Sequence, residues 1–186
     1  MKIITSILFV LCSILTAFGQ SYWDHDEHGL SLKMPEISLV TVMPLNYTVN
    51  LSLSLPTSAG GEPGVSDEGR DDNTWLNYSV GRRANASYRK VYAQITSGSI
   101  PSGLSLKLEV KNLQSQGRGS CGSRYSEETF LSNQPQVVVT RIGSGCTNRG
   151  KSFGHQLIYE LKLDDINDLR VKEPTTYLTI TYTISD

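Results

Sequence analysis

Strict alternation of apolar and polar residues is the feature that most constrains this chain. Across Tyr47–Leu55 every odd position is apolar or aromatic and every even position is polar. A helix would scatter such a pattern around its axis, whereas an extended strand sends successive side chains to opposite faces. Leu104, Leu106, Leu108 and Val110 alternate with Ser105, Lys107, Glu109 and Lys111, and Leu178, Ile180, Tyr182 and Ile184 alternate with threonines. Weaker alternation covers Ile37–Met43, Thr74–Val80, Val91–Ile95, Val137–Ile142 and Leu157–Leu163, with a short Leu30, Leu32, Met34 set ending at Pro35. Strands of this kind keep one face in a core and one in water.

Turn-forming clusters separate these runs. Ser58–Asn73, Ser97–Gly103, Asn112–Ser123 and Gly143–Phe153 are rich in Gly, Pro, Ser or Asn. Asp164–Leu169 is the one plausible helical turn and reads better as a hairpin connection. The pattern predicts an all-β fold, an Ig-like antiparallel β-sandwich of about eight strands, with a barrel as the alternative. With glycine included, the apolar share is about 47%, ordinary for a globular domain. No repeat period or internal linker divides the chain.

The first residues belong to export rather than to the fold. Lys2 is followed by the mostly apolar Ile3–Phe18, and Ala17 and Gly19 supply small residues at the −3 and −1 positions of a cleavage site. The expected organisation is a signal peptide at 1–19, a polar tail at 20–29 and a β-sandwich domain at 30–186. The expected location is secreted, periplasmic or on the outer cell surface, without stable membrane insertion after cleavage. Cys12 leaves with the signal, and no small residue precedes it as lipidation would need. The remaining Cys121 and Cys146 form an even pair in a compartment where disulfides persist. One Cys121–Cys146 bond is expected, closing a loop of about 25 residues and contributing about 3 kcal/mol.

The formal net charge of −1 excludes a general nucleic-acid binder. It conceals segregation. Gln20–Gly81 holds nine acidic and two basic residues, Arg82–Lys151 three acidic and eleven basic, and Ser152–Asp186 six acidic and three basic. If strand order gathers these blocks on separate surfaces, head-to-tail association of subunits follows.

Candidate chemistry is sparse. Gly117–Gly122 matches G-x-G-x-x-G, but no amphipathic helix follows, so a loop is expected and no nucleotide cofactor. Asp24, His25, Asp26, Glu27 and His28 put five potential metal ligands in a row. They sit in a tail without anchoring structure, so His25 and His28 mark a weak metal possibility and no metal site is expected. His155 begins a strand and is expected to be structural, since no G-x-S-x-G nucleophile turn accompanies it. Glu127-Glu128 and Asp164-Asp165 are sequence neighbours, a poor basis for a hydrolase dyad. Sequons occur at Asn46, Asn50, Asn77 and Asn85. Trp75 and Tyr78, followed by Arg82 and Arg83, could present an aromatic and basic surface to a glycan or partner, or Trp75 could lie between the sheets.

Ser38-Leu39-Val40 and the segments Leu51–Gly60, Thr74–Ser79, Ala93–Pro101, Gly154–Leu157 and Leu178–Ile184 resemble a family of uncharacterised secreted β-sandwich proteins from Bacteroidota. The resemblance covers most of the chain after the signal, and its motifs are structural. The chain is more distantly similar to pilin-like and spore-coat-U-like surface domains, with Tyr182 as the tyrosine of the closing strand. Ser21–Gly29 is charged and does not alternate, unlike the donated strand of those pilins, and Cys121 and Cys146 sit later than pilin cysteines. The resemblance implies a non-catalytic structural or adhesive module whose partners are further copies, other surface subunits or glycans. A carbohydrate-binding module is the alternative reading, and a small secreted hydrolase a third.

Overall fold

The computed structural model describes residues 27–33, 35–54, 56–61, 64–65, 69–115, 117–170 and 175–186. The signal segment, Asp24, His25 and Asp26 lie outside the described residues. Pro35–Asp186 forms one compact unit and Met1–Met34 another. Within the latter, Glu27–Lys33 is exposed and has no regular structure, so Leu30 and Leu32 of the short alternating set form no strand.

The compact unit is all-β, and the described residues contain no α-helix. Its strands are β1 (Ile37–Met43), β2 (Leu53–Ser54), β3 (Gly64–Val65), β4 (Arg70–Gly81), β5 (Arg89–Ser97), β6 (Leu104–Leu113) and β7 (Arg118–Gly119). These are followed by β8 (Ser123–Arg124), β9 (Glu128–Phe130), β10 (Gln136–Ile142), β11 (Gly145–Cys146), β12 (His155–Leu163) and β13 (Thr179–Ser185). The expectation of about eight is thus corrected to thirteen. Among the described residues the thirteen comprise seven long strands and six segments of two or three residues. Such segments are too short to show a period, and most lie inside the Gly- and Ser-rich stretches that read as turns.

Every ladder is antiparallel. The large sheet runs β7-β11-β4-β12-β6-β9 with β1 on the free edge of β4, the small sheet runs β13-β5-β10-β8, and β2 pairs with β3. β1 follows one edge of β4 from Ile37 opposite Gly81 to Met43 opposite Trp75. The other edge is divided. β12 takes the first part, with Glu160 opposite Arg70 and His155 opposite Leu76, and β11 takes the last, with Cys146 opposite Ser79.

The sheets share one core. Leu76, Tyr78 and Val80 of β4, Leu106, Leu108 and Val110 of β6, and Leu157 and Tyr159 of β12 meet Val91, Ala93 and Ile95 of β5 and Val138, Val139 and Ile142 of β10. Ile180, Tyr182 and Ile184 of β13 pack against its rim. The Tyr159 and Tyr182 hydroxyls bond at 2.7 Å and join the large sheet to the small one. Burial pushes the Tyr159 phenol up to about 12. In β10 the ladder shifts around Val139 and again before Ile142, and Arg141 takes φ 58°, so consecutive Val138 and Val139 are both buried.

The longest alternating run behaves differently from expectation. Only Leu53–Ser54 of Tyr47–Leu55 belongs to a described strand. Val49 and Leu51 still turn toward the core while Thr48, Asn50 and Ser52 stay exposed. Period two therefore reports which side of an extended backbone is dry, independently of whether a ladder partner lies alongside.

Leu108 is fully buried at the centre of this core. Leu108→Ala should lower unfolding stability by about 3 kcal/mol, read as a reduced urea midpoint, because the backbone ladders on both sides hold the cavity open.

Candidate functional site

β4 decides where the candidate residues go. Trp75 and Tyr78 are three apart on an extended strand, so they point to opposite faces. Tyr78 is 3% exposed inside the core and Trp75 is 7% exposed on the outer face, apart from the core cluster. The expected joint aromatic surface is not formed, and neither ring is free to stack on a sugar.

The loop 147–154 covers the outer face around Asn77. The Asn77 side chain donates to the Phe153 carbonyl at 2.7 Å and accepts from the Gly150 N–H at 2.8 Å. Lys151 Nζ lies 5.4 Å from the Trp75 ring centroid. Asn148 and Ser152 adopt φ 66° and 67°, and Gly154 has φ 76°. A Cβ at Gly154 would fall 2.1 Å from the Leu76 carbonyl oxygen, so this return into β12 requires glycine. The sequon at Asn77 is consumed by this structure, whereas Asn46, Asn50 and Asn85 remain exposed.

Gly145–Ser152 reads G-C-T-N-R-G-K-S, a literal phosphate-loop pattern that the sequence reading did not single out. Such a loop must open directly into a helix. Here it opens into β12, and its Gly150 N–H already serves Asn77. Gly117–Gly122 likewise falls on β7 and the turn into β8, which agrees with the expected loop.

On the core side, His155 is 0% exposed and its ring is spent on the fold. Nδ1 lies 2.9 Å from the Lys111 carbonyl, which can only accept, so Nδ1 carries the proton and donates. Nε2, left without a proton, lies 2.9 Å from the Tyr78 hydroxyl, whose single proton is shared between Nε2 and the Cys121 carbonyl as alternative acceptors. Burial lowers the His155 pKa, opposed by the Lys111 bond, and burial raises that of Tyr78.

The expected Cys121–Cys146 disulfide is absent; both cysteines are free thiols. Cys121 Sγ is turned away from side-chain pairing and donates to the Cys146 carbonyl at 2.9 Å. Burial and then the neighbouring Cys146 raise the Cys121 pKa, opposed by that backbone bond. The close approach of these backbones is set at Gly117, where a Cβ would sit 1.9 Å from the Cys146 carbonyl oxygen.

Arg82 and Arg83 lie past the end of β4. The Arg82 guanidinium stacks 4.5 Å from the Tyr88 ring centroid, and its backbone N–H donates to Ser144 Oγ at 3.1 Å. Arg83 reaches Glu36 at 3.5 Å. Arg89 also reaches Glu36, at 3.8 Å, and pairs with Asp186. Exposed Arg118 and Arg141 gather at the same end through β7 and β10, exposed Arg149 sits in the loop over Asn77, and none of the three forms an ion pair among the described residues. At the opposite end, Arg70, Asp71 and Asp72 begin β4 while Asp164, Asp165, Asp168 and Arg170 follow β12. Between the ends the outer face carries compensated charge. Lys107, nearly buried, bonds Glu160 at 2.6 Å and Glu128 at 3.0 Å, and the Lys107 bond lowers the Glu160 pKa despite partial burial.

Among the described residues no group of three His, Cys, Asp or Glu side chains is placed to hold a metal, and His28 is exposed. No helix among them is long and apolar enough to cross a membrane.

His155 gives a pH prediction. The unfolded imidazole titrates near 6.5 and the folded one lower, so the unfolded chain takes up the proton first. Stability should be full above about pH 6.5 and fall as pH drops through the folded value, and urea midpoints from pH 7.5 to 5 in His155→Gln should show a flatter slope. Asn77→Ala should free the loop 147–154, seen as faster amide exchange at Gly150, at a cost of about 2 kcal/mol. No family model, curated protein or solved structure matches this chain.

Proposed function

We propose that this chain is a secreted or cell-surface module with an Ig-like sandwich, serving a structural or adhesive role without catalysis. The observation that carries the reading is where the reactive side chains are spent. His155, Tyr78 and Cys121 bond one another's backbone or rings inside the core, and Lys107 is neutralised by Glu160 and Glu128. What faces solvent is strand surface, turn and charge. The glycan reading depended on one face holding both Trp75 and Tyr78, and β4 separates them.

Location outside the cytoplasm rests on the leader pattern of Met1–Gly19. The resemblance to secreted Bacteroidota proteins and to pilin-like domains supports the same assignment. A domain of this kind acts through surface complementarity, by docking against copies of itself or other surface subunits.

In cells that produce it, the chain should begin at Gln20 by N-terminal sequencing and should be removed from intact cells by added protease. Recovery from the cytoplasm with residues 1–19 still attached would overturn the reading.

A further inference from the structure

The two ends of the sandwich carry opposite charge, and this rests on the topology rather than on composition. β4 starts at Arg70-Asp71-Asp72 and ends at Gly81, with Arg82 and Arg83 just beyond. β12 runs back against it and delivers Asp164, Asp165 and Asp168 to the acidic end. β11 pairs with the last residues of β4, and β7 pairs with β11, so Arg118 reaches the basic end. β10 ends opposite Arg89 and brings Arg141 to the same place. The carboxylates available there are already committed: Glu36 to Arg83 and Arg89, and Asp186 to Arg89. Arg118 and Arg141 therefore keep an uncompensated positive field, with Tyr88 exposed beside Arg82.

A twelve-residue strand spans about 36 Å. The screening length at physiological ionic strength is about 8 Å, so the two ends cannot neutralise each other within one molecule. At the acidic end Arg70 and Arg170 stand against five aspartates, so the balance there stays negative. Asp71 accepts from the Tyr47 hydroxyl, Asp164 from Ser105 and Asp165 from Asn167, and only Asp72 has a basic partner, Arg70.

We propose that the basic end, centred on Arg118 and Arg141, docks onto the acidic end, centred on Asp72, Asp164 and Asp168, of a second copy of this chain. This deepens the surface-module reading and names its partner. The contact is heterologous, joining two different surfaces, so each added copy leaves a free end and the natural product is an open linear chain. It differs from strand donation in needing no extra strand. β1 and β13 lie beside one another where the two sheet edges meet, and neither is called on.

The test uses the chain from Gln20 in sedimentation velocity across ionic strength. Wild type should sediment as a concentration-dependent series at about 0.01 M salt and as a monomer at about 1 M. Reversal of the basic end (Arg118→Glu, Arg141→Glu) should give monomers at low salt, as should reversal of the acidic end (Asp72→Lys, Asp164→Lys, Asp168→Lys). Mixing the two reversed proteins should restore association, because each then offers the other a complementary end. That recovery cannot come from a misfolded variant. Three results would each overturn the proposal: a monomeric wild type at low salt, assemblies unchanged at high salt, or reversed variants that assemble like wild type. Retention of a monomer on heparin, the polyanion probe, would assign the basic end to an acidic polymer and also overturn it. A monomer that is still shaved from intact cells leaves the surface-module reading standing; a cytoplasmic chain removes that reading without altering the sedimentation result.

Discussion

Everything in this domain is referred to β4. It is buried on both faces through Thr74–Tyr78, and both of its edges are paired: β1 on one, β12 and then β11 on the other. Its inner residues Leu76, Tyr78 and Val80 seed the core, while its outer residues Trp75 and Asn77 hold the loop 147–154 in place. Burial on both faces is what defeats a simple reading of Trp75 and Tyr78. A strand with one wet face would have left one of them on the surface, and here a loop dries the second face.

That loop marks the boundary of what the amino-acid order makes legible. The long strands β1, β5, β6, β10, β12 and β13 coincide with runs where apolar residues recur at every second position. Asn77 carries no such signal, because a buried polar residue in an alternating strand looks like any outward-facing one. Its partners Gly150 and Phe153 lie more than seventy positions away. The same distance hides the pairing of Cys121 with a carbonyl instead of a sulfur. An even count of cysteines states that two are available, and only the local backbone decides where each Sγ points. The role of His155 as a satisfied core residue, by contrast, followed from what was missing around it, and the ring sits where that reasoning places it.

Charge was legible in amount and not in position. Blocks of opposite sign along a chain become poles of a molecule only if the strands returning from one block finish at the far end of the other. The antiparallel pairing of β4 with β12 does this: it places the turn after Leu163 beside the start of β4 and the turn before His155 toward its end. Composition near neutrality is thus compatible with a strongly polar body, and solubility judged from net charge alone would miss it.

The divided edge of β4 also fixes an order of events as the chain emerges. Thr74 is bonded to Leu157 across 83 positions, and β13 joins β5 only when the last residues appear. β1 alone is at hand when β4 first emerges, and a two-stranded ribbon does not stand by itself in water. The apolar residues on the core face of β4 stay uncovered until β6, β10 and β12 have followed. Long-range strand pairing of this kind is slow and leaves sticky surface open in the meantime. The fold thus postpones its own completion until nearly all of its strands have emerged, which leaves the incomplete chain extended for most of its synthesis.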